Sequence, residues 1–179
     1  NYLKMYINRT LRHFILTLFI SVIALQSRAQ SLVAGDIAII GVGVDTEEVL
    51  LVALNNVPAG ESVFFTDDEW NGTAFNSGEG FYEWVTPAII AGDVFTITKT
   101  SCSAGGTVTQ RAGNFALGNS GDGCYLYQTS TNVYNTGSVT HIGFAGEDAG
   151  DAGTLPAGLT LGTTAIYFGG DNGIYVGPR

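Results

Sequence analysis

The stretch from Phe64 to Trp84 reads FFTDDEWNGTAFNSGEGFYEW, and it decides the architecture of the chain. It begins and ends in aromatic runs, and the segment between them is rich in Gly, Asn and acidic residues. Aromatic and β-branched residues favour strands, whereas Gly and Asn favour turns. The stretch therefore predicts two strands joined by a long loop with aromatic anchors, and this loop is the first place to expect a ligand.

The rest of the chain follows the same pattern. Short runs rich in Val, Ile, Phe and Tyr alternate with Gly-rich turns, and no segment after Gln30 has a capped, 3.6-residue apolar period. Eight or nine short strands are expected, with a polar loop over 101–113 and a short strand or bridge over 114–117. The length of 179 residues suits one domain. We predict an all-β, antiparallel β-sandwich over residues 30–179.

The first 29 residues read as a secretory signal peptide. A basic region with Arg9 and Arg12 precedes an apolar run, and small residues stand before a cleavage site at Gln30. The apolar run is too short for a membrane span, which needs about 20 residues. We predict a signal-peptide helix that starts at Met5, and a mature protein that is exported and not integral to the membrane. A longer parent protein is expected to continue beyond Arg179.

Charge is distributed unevenly along the chain. The net charge is −9, and all sixteen acidic residues follow Gln30, where only Lys99, Arg111 and Arg179 are basic. Such an acidic surface repels phosphate backbones, so nucleic acid is excluded as a partner. It attracts cations, and it also keeps an exported protein soluble.

Several blocks together carry a resemblance to a known family. They are GDIA at 35–38, FTD at 65–67, WNG at 70–72, GEG at 78–80, AGDV at 91–94, NFAL at 114–117 and LPAGLT at 155–160. Their order and spacing resemble an N-terminal module of secreted multidomain bacterial proteins. That module is similar to the lamin-tail domain, an immunoglobulin-like β-sandwich.

The resemblance implies an interaction or accessory domain, not an enzyme. Lamin-tail-like modules accompany surface-anchoring domains or extracellular hydrolases, so other domains of the same chain are expected as partners. The family supplies no catalytic residues. Two further expectations stay open beside an adhesion or scaffold role: a carbohydrate-binding module, or the accessory domain of a hydrolase whose catalytic part lies beyond Arg179.

The side chains themselves favour no catalytic mechanism. His141 is the one histidine after the signal peptide, and it lies in the alternating run VTHIGFA, where a structural or surface role is expected. No nucleophile motif such as G-x-S-x-G accompanies it. Cys102 and Cys124 are the only cysteines, and in an exported chain they predict a disulfide.

Acidic loops offer ligands for a cation. Calcium takes six to eight oxygens from carboxylates and carbonyls, and Gly-rich loops expose both. The candidate ligands lie in two loops, with Asn71 and Glu79 beside the first: Asp67, Asp68, Glu69, Glu147, Asp148 and Asp151. No EF-hand pattern is present, so solvated acids are the alternative to a Ca²⁺ site.

Aromatic residues of the first loop offer stacking faces for a sugar. We expect Trp70, Asn71, Phe75 and Tyr82 to form such a ligand site, with Trp70 exposed and Trp84 in the core. An extracellular protein or a polysaccharide is the expected partner.

Overall fold

The computed structural model describes residues 30–118, 121–147, 152–170 and 172–174, so the predicted signal peptide lies outside the described residues. Every regular element within these ranges is a β-strand. The ten strands are β1 (Ile37–Gly43), β2 (Glu48–Ala53), β3 (Ser62–Thr66), β4 (Phe81–Val85), β5 (Val94–Ile97), β6 (Thr107–Ala112), β7 (Gly123–Thr129), β8 (Val139–Gly146), β9 (Ala165–Tyr167) and β10 (Asn172–Ile174). No helix long and apolar enough to cross a bilayer occurs in the described part of the chain.

The strands form two sheets. One has the order β10-β1-β2-β5 and the other β6-β4-β3-β7-β8-β9, and every pair is antiparallel except β8 with β9. The predicted all-β class is confirmed, and the two-sheet arrangement is consistent with a β-sandwich. The main apolar core draws on both sheets, with Ile37 and Leu51 from the first and Phe65, Trp84 and Leu126 from the second. The expected burial of Trp84 is also confirmed, since its side chain is 0% exposed.

A second apolar cluster covers the outer face of the six-stranded sheet. Side chains alternate along a strand, so Phe64 belongs to this outer cluster while its neighbour Phe65 belongs to the main core. Tyr125 and Tyr127 of β7 lie on the outer side as well, as their alternation in the sequence predicts. The loop between β3 and β4 supplies the cover, and its Trp70 and Phe75 complete the cluster. The six-stranded sheet is therefore apolar on both faces.

Two local expectations are wrong. The predicted polar loop over 101–113 contains β6, an edge strand that pairs with β4. Its sequence TVTQRA lacks an apolar alternation because its side chains are exposed or half-buried. The backbone ladder to β4 holds the strand, together with the Arg111–Glu83 ion pair and the partly buried Val108. The predicted short strand at 114–117 is an irregular segment, although Phe115 is fully buried.

The structure does not support the predicted disulfide, because Cys102 and Cys124 are both free thiols. Cys102 is half-buried, and its backbone pairs with that of Ile97 in an isolated antiparallel β-bridge at the end of β5. Cys124 is fully buried in β7, inside the other sheet. A disulfide needs a specific approach of the two residues, and residence in one oxidising compartment does not supply it.

At Gly80 the β3–β4 loop lies against the 114–117 segment. A Cβ atom added there would lie 2.0 Å from the backbone nitrogen of Phe115. Backbone atoms cannot rotate away as a side chain can, so this contact requires a residue without Cβ.

We predict that Gly80→Ala destabilises the protein by about 2 kcal/mol or more, because overpacking must displace backbone. Gly169→Ala is the matched control, since a Cβ at Gly169 meets nothing within 4 Å. Urea denaturation should show a change of about 0.5 kcal/mol or less for the control. Equal stability of the two variants would contradict the close approach at Gly80.

Candidate cation site in the loop between β3 and β4

The buried carboxylate of Asp67 joins the two ends of this loop. Its Oδ1 accepts a hydrogen bond from the backbone N–H of Gly80 at 2.8 Å, and its Oδ2 accepts one from Ala116 at 2.6 Å. Asp67 is 1% exposed, and burial raises its pKa in spite of these two bonds. The bond to Gly80 brings the adjacent residues of the chain, Asp68 and Glu79, to the same place.

The middle of the loop is a small hairpin. Trp70 and Phe75 face each other in an antiparallel bridge, and backbone hydrogen bonds join Asn71 to Ala74 and Asn76 to Glu69. The Asn71 side chain accepts hydrogen bonds from the backbone N–H groups of Thr73 and Ala74, which is the usual local role of Asn in a turn. The hairpin directs its two aromatic rings onto the sheet and leaves its polar end in solvent.

Three carboxylates converge at the base of this hairpin. Ligand oxygens of Asp68, Glu69 and Glu79 all lie within 4.8 Å of one another. Asp68 is 1% exposed, and its Oδ2 has no hydrogen-bond partner among the described residues. The same holds for the buried Oε2 of Glu79. Two buried carboxylate oxygens that face a third carboxyl without a donor are costly unless a proton or a cation accompanies them.

Within the described ranges, no lysine or arginine side chain pairs with the cluster. Lys99 and Arg111 are the two basic residues of the described ranges, and they pair with Glu47 and Glu83 respectively. Burial and the neighbouring carboxylates raise the pKa of Glu79 to about 8. Burial and the nearby Glu69 raise the pKa of Asp68 to about 6. The folded protein therefore resists full ionisation of these groups at neutral pH, and a bound cation would remove that cost.

The cluster opens into a surface pocket of about 750 Å³. The β3–β4 loop forms most of its lining, and Asn135 reaches it from the turn between β7 and β8. Asn76, Ser77 and Asn135 give the rim a polar, uncharged character, while Phe75 lines the inner end. Asn135 has a positive φ of 56°, a conformation that Asn tolerates in turns. Sequence reasoning does not assign Asn135 to the site, because nothing local to its turn indicates which loop faces it.

The structure separates the predicted calcium ligands. Asp68 and Glu69 belong to the cluster together with Glu79, whereas both oxygens of Asp67 are committed to backbone N–H groups. Glu147 accepts a hydrogen bond from the backbone of Gly121 and lies outside the cluster. Asp148 and Asp151 lie outside the described residues.

Three of the four side chains in the predicted stacking site are buried. The expectation that Trp70 is exposed is wrong, because its side chain is 9% exposed and packs edge-to-face on Phe75. Phe75 and Tyr82 are 5% and 3% exposed, and Tyr82 belongs to the main core on the other face of the sheet. Of the four predicted residues only Asn71 is exposed. These three rings are therefore packed within the fold, although Phe75 also lines the pocket.

His141 completes the aromatic cluster beneath the hairpin. Its ring lies 4.6 Å from that of Trp70 and 5.6 Å from that of Phe75, measured between centroids. It is 8% exposed, neither ring nitrogen has a partner in the described part of the chain, and burial lowers its pKa to about 4. His141 is therefore neutral at physiological pH and packs as an aromatic ring among its neighbours.

Comparison of the chain with protein-family models, curated proteins and solved structures finds no match. The resemblance to lamin-tail-like modules therefore stays a prediction, and the geometry of the site is the basis for a proposed function.

His141 predicts an acid-sensitive stability. The unfolded chain takes up a proton near pH 6.5 but the folded chain only near pH 4, so stability is lost as pH falls between these values. Between about pH 6.5 and 4.5 this amounts to about 2 kcal/mol. His141→Phe should lack this loss.

Urea denaturation of both proteins across that range measures the difference. The carboxyls with raised pKa act in the opposite direction, but they are common to both proteins and cancel in the comparison. The same dependence on pH in the two proteins would show that His141 is not buried as a neutral ring.

Proposed function

We propose that the chain is an exported, non-enzymatic β-sandwich module of lamin-tail-like type whose β3–β4 loop binds Ca²⁺. In this proposal it serves as a binding or architectural domain of a secreted or cell-surface protein. The main support for a bound cation is a pair of buried oxygens, Asp68 Oδ2 and Glu79 Oε2. Neither has a hydrogen-bond partner among the described residues, and the ligand oxygens of these two residues and Glu69 lie within 4.8 Å of one another.

The chemistry of the ligands favours calcium over other metals. All three candidate ligands are carboxylates, which suit hard cations, whereas Zn²⁺ prefers His and Cys in structural sites. Mg²⁺ demands a near-ideal octahedron and retains much of its water. Calcium accepts irregular geometry, and few ligands on a loop suit the weak affinities of extracellular modules, with Kd of about 0.1–1 mM.

A cation at this point would act on the whole loop. Asp68 and Glu69 precede the Trp70–Phe75 hairpin and Glu79 follows it, so a shared ion joins both ends. The hairpin in turn covers the outer aromatic cluster of the six-stranded sheet. Binding would therefore stabilise the surface that the module offers to its partner, an extracellular protein or polysaccharide.

Calcium should raise the melting temperature of the protein by about 5 °C or more near pH 8.5, where the carboxyls ionise, because a ligand of the folded state stabilises it. Glu79→Gln should abolish this shift. The same variant should melt slightly higher than the wild type in EDTA, since it removes one of three crowded acids.

The exposed Glu48 of β2 gives the matched control, because Glu48→Gln removes an equal charge far from the cluster in the fold and should keep the full shift. Magnesium at the same ionic strength separates a specific site from screening. An unchanged melting temperature in Ca²⁺, or a shift that persists in Glu79→Gln, would contradict the proposed site.

Hydrogen exchange should locate the effect. The amides of Asn71 and Asn76 are bonded within the hairpin, and we expect them to exchange at least about tenfold more slowly in Ca²⁺ than in EDTA. Amides of the edge strand β5 in the other sheet, which can open locally without disturbing this loop, should be unchanged. Uniform protection of all amides would indicate global stabilisation without ordering of this loop.

A further inference from the structure

The cluster leaves part of a calcium coordination sphere to other ligands. Three carboxylates provide three to six oxygens, while Ca²⁺ takes six to eight. One of the six, Glu69 Oε2, already accepts a hydrogen bond from the Asn76 side chain at 3.2 Å. Asp68 is buried and the pocket beside the cluster is open, so further ligands would reach the ion from the pocket.

The electric field at the pocket selects the charge of an incoming ligand. A divalent ion does not neutralise three carboxylates, and the negative charges of Asp67 and Asp122 act on Glu79 as well. Anionic groups such as phosphate, sulfate and carboxylate are therefore repelled even with the ion bound. Neutral groups with oxygen donors can coordinate the ion without being repelled by this negative field.

The rim of the pocket supplies groups that suit hydroxyls. Asn76 and Asn135 carry amides that both donate and accept hydrogen bonds, and Ser77 adds a hydroxyl from the same loop. Sugar hydroxyls have the same dual character, and two neighbouring hydroxyls can contact one ion together. With Trp70 buried, recognition of a sugar here would depend on the ion and the amides and not on stacking.

We infer that the cation in this pocket retains open coordination positions and that a neutral glycan binds there through adjacent hydroxyl oxygens. This inference depends on the proposed cation site and specifies its ligand. The Asn135 side chain lines the pocket from a loop separate from the three carboxylates, and in this inference it contacts the glycan and not the ion.

Terbium luminescence can test each step on the whole chain. Tb³⁺ takes the same oxygen ligands as Ca²⁺, and the indole of Trp70, next to Glu69 in the sequence, can sensitise its emission. Emission lifetimes in H₂O and D₂O count the water molecules on the ion. We expect at least about two waters, consistent with the unfilled calcium sphere. Soluble mannan, dextran or xylan should displace them, and one of the three suffices.

Asn135→Ala separates the glycan from the ion. The variant should keep the emission and the water count of the wild type, while its affinity for the displacing polysaccharide falls about tenfold, as expected for one or two lost hydrogen bonds. Ser103→Ala, on the opposite sheet beside β5, is the control and should leave both measurements unchanged.

The outcomes distinguish the two levels of the argument. Absence of sensitised emission would overturn the cation site itself. Emission with no water or one water on the ion would leave the cation site intact and overturn the open coordination. Retention of all waters on the ion in the presence of each of the three polysaccharides would overturn the glycan. Release of Tb³⁺ by an oligolysine peptide at matched ionic strength would also overturn it, and would indicate a site for cationic side chains.

Discussion

The hydrogen bonds of the Asp67 carboxylate are the constraint on which the outer half of the structure depends. One oxygen binds the N–H of Gly80 and the other that of Ala116, so a single buried group joins β3, the start of β4 and the irregular segment that carries Phe115. Charge-assisted bonds to backbone N–H groups are stronger than neutral ones, so they offset part of the cost of burying the carboxylate. The absence of a Cβ at Gly80 allows the approach.

This junction explains how the outer apolar face of the six-stranded sheet is covered from within the chain. A sheet face of aromatic side chains left in water would be an aggregation hazard. The β3–β4 loop covers it by turning Trp70 and Phe75 inward, where they contact His141 and the tyrosines of β7. The loop therefore has a structural role, since Trp70 and Phe75 anchor it on the sheet. Its polar residues, such as Asn76 and Ser77, remain accessible in the pocket.

The same junction concentrates negative charge. Residues on either side of Asp67 and Gly80 are carried together whatever their charge, and Asp68 and Glu79 are both acidic. Their raised pKa values show that the folded state carries a cost that a neutral pair would not. Unfavourable electrostatics of this kind are concentrated at ligand-binding sites, because a bound ligand offsets the free-energy cost. The open pocket beside the cluster is where such a ligand would enter.

The sequence by itself determined the all-β class and the two strands joined by a long loop between Phe64 and Trp84. These follow from local chemistry: β-branched and aromatic runs, Gly-rich turns, and the alternation that separates Tyr125 from Leu126. It also placed Asp68, Glu69 and Glu79 in one acidic loop.

Only the tertiary structure decided what each residue does. Whether Trp70 faces solvent or sheet, and whether Asp67 holds the backbone or a cation, depends on contacts with β7, β8 and Ala116, which are far away in the sequence. The position of Asn135 in the pocket lining also depends on a distant segment, because this residue belongs to another loop. Strand β6 was missed for a similar reason: its polar side chains give no strand pattern, and its pairing with β4 defines it. Local patterns report the propensity of a segment, while burial and ligation depend on which distant segments pack against it.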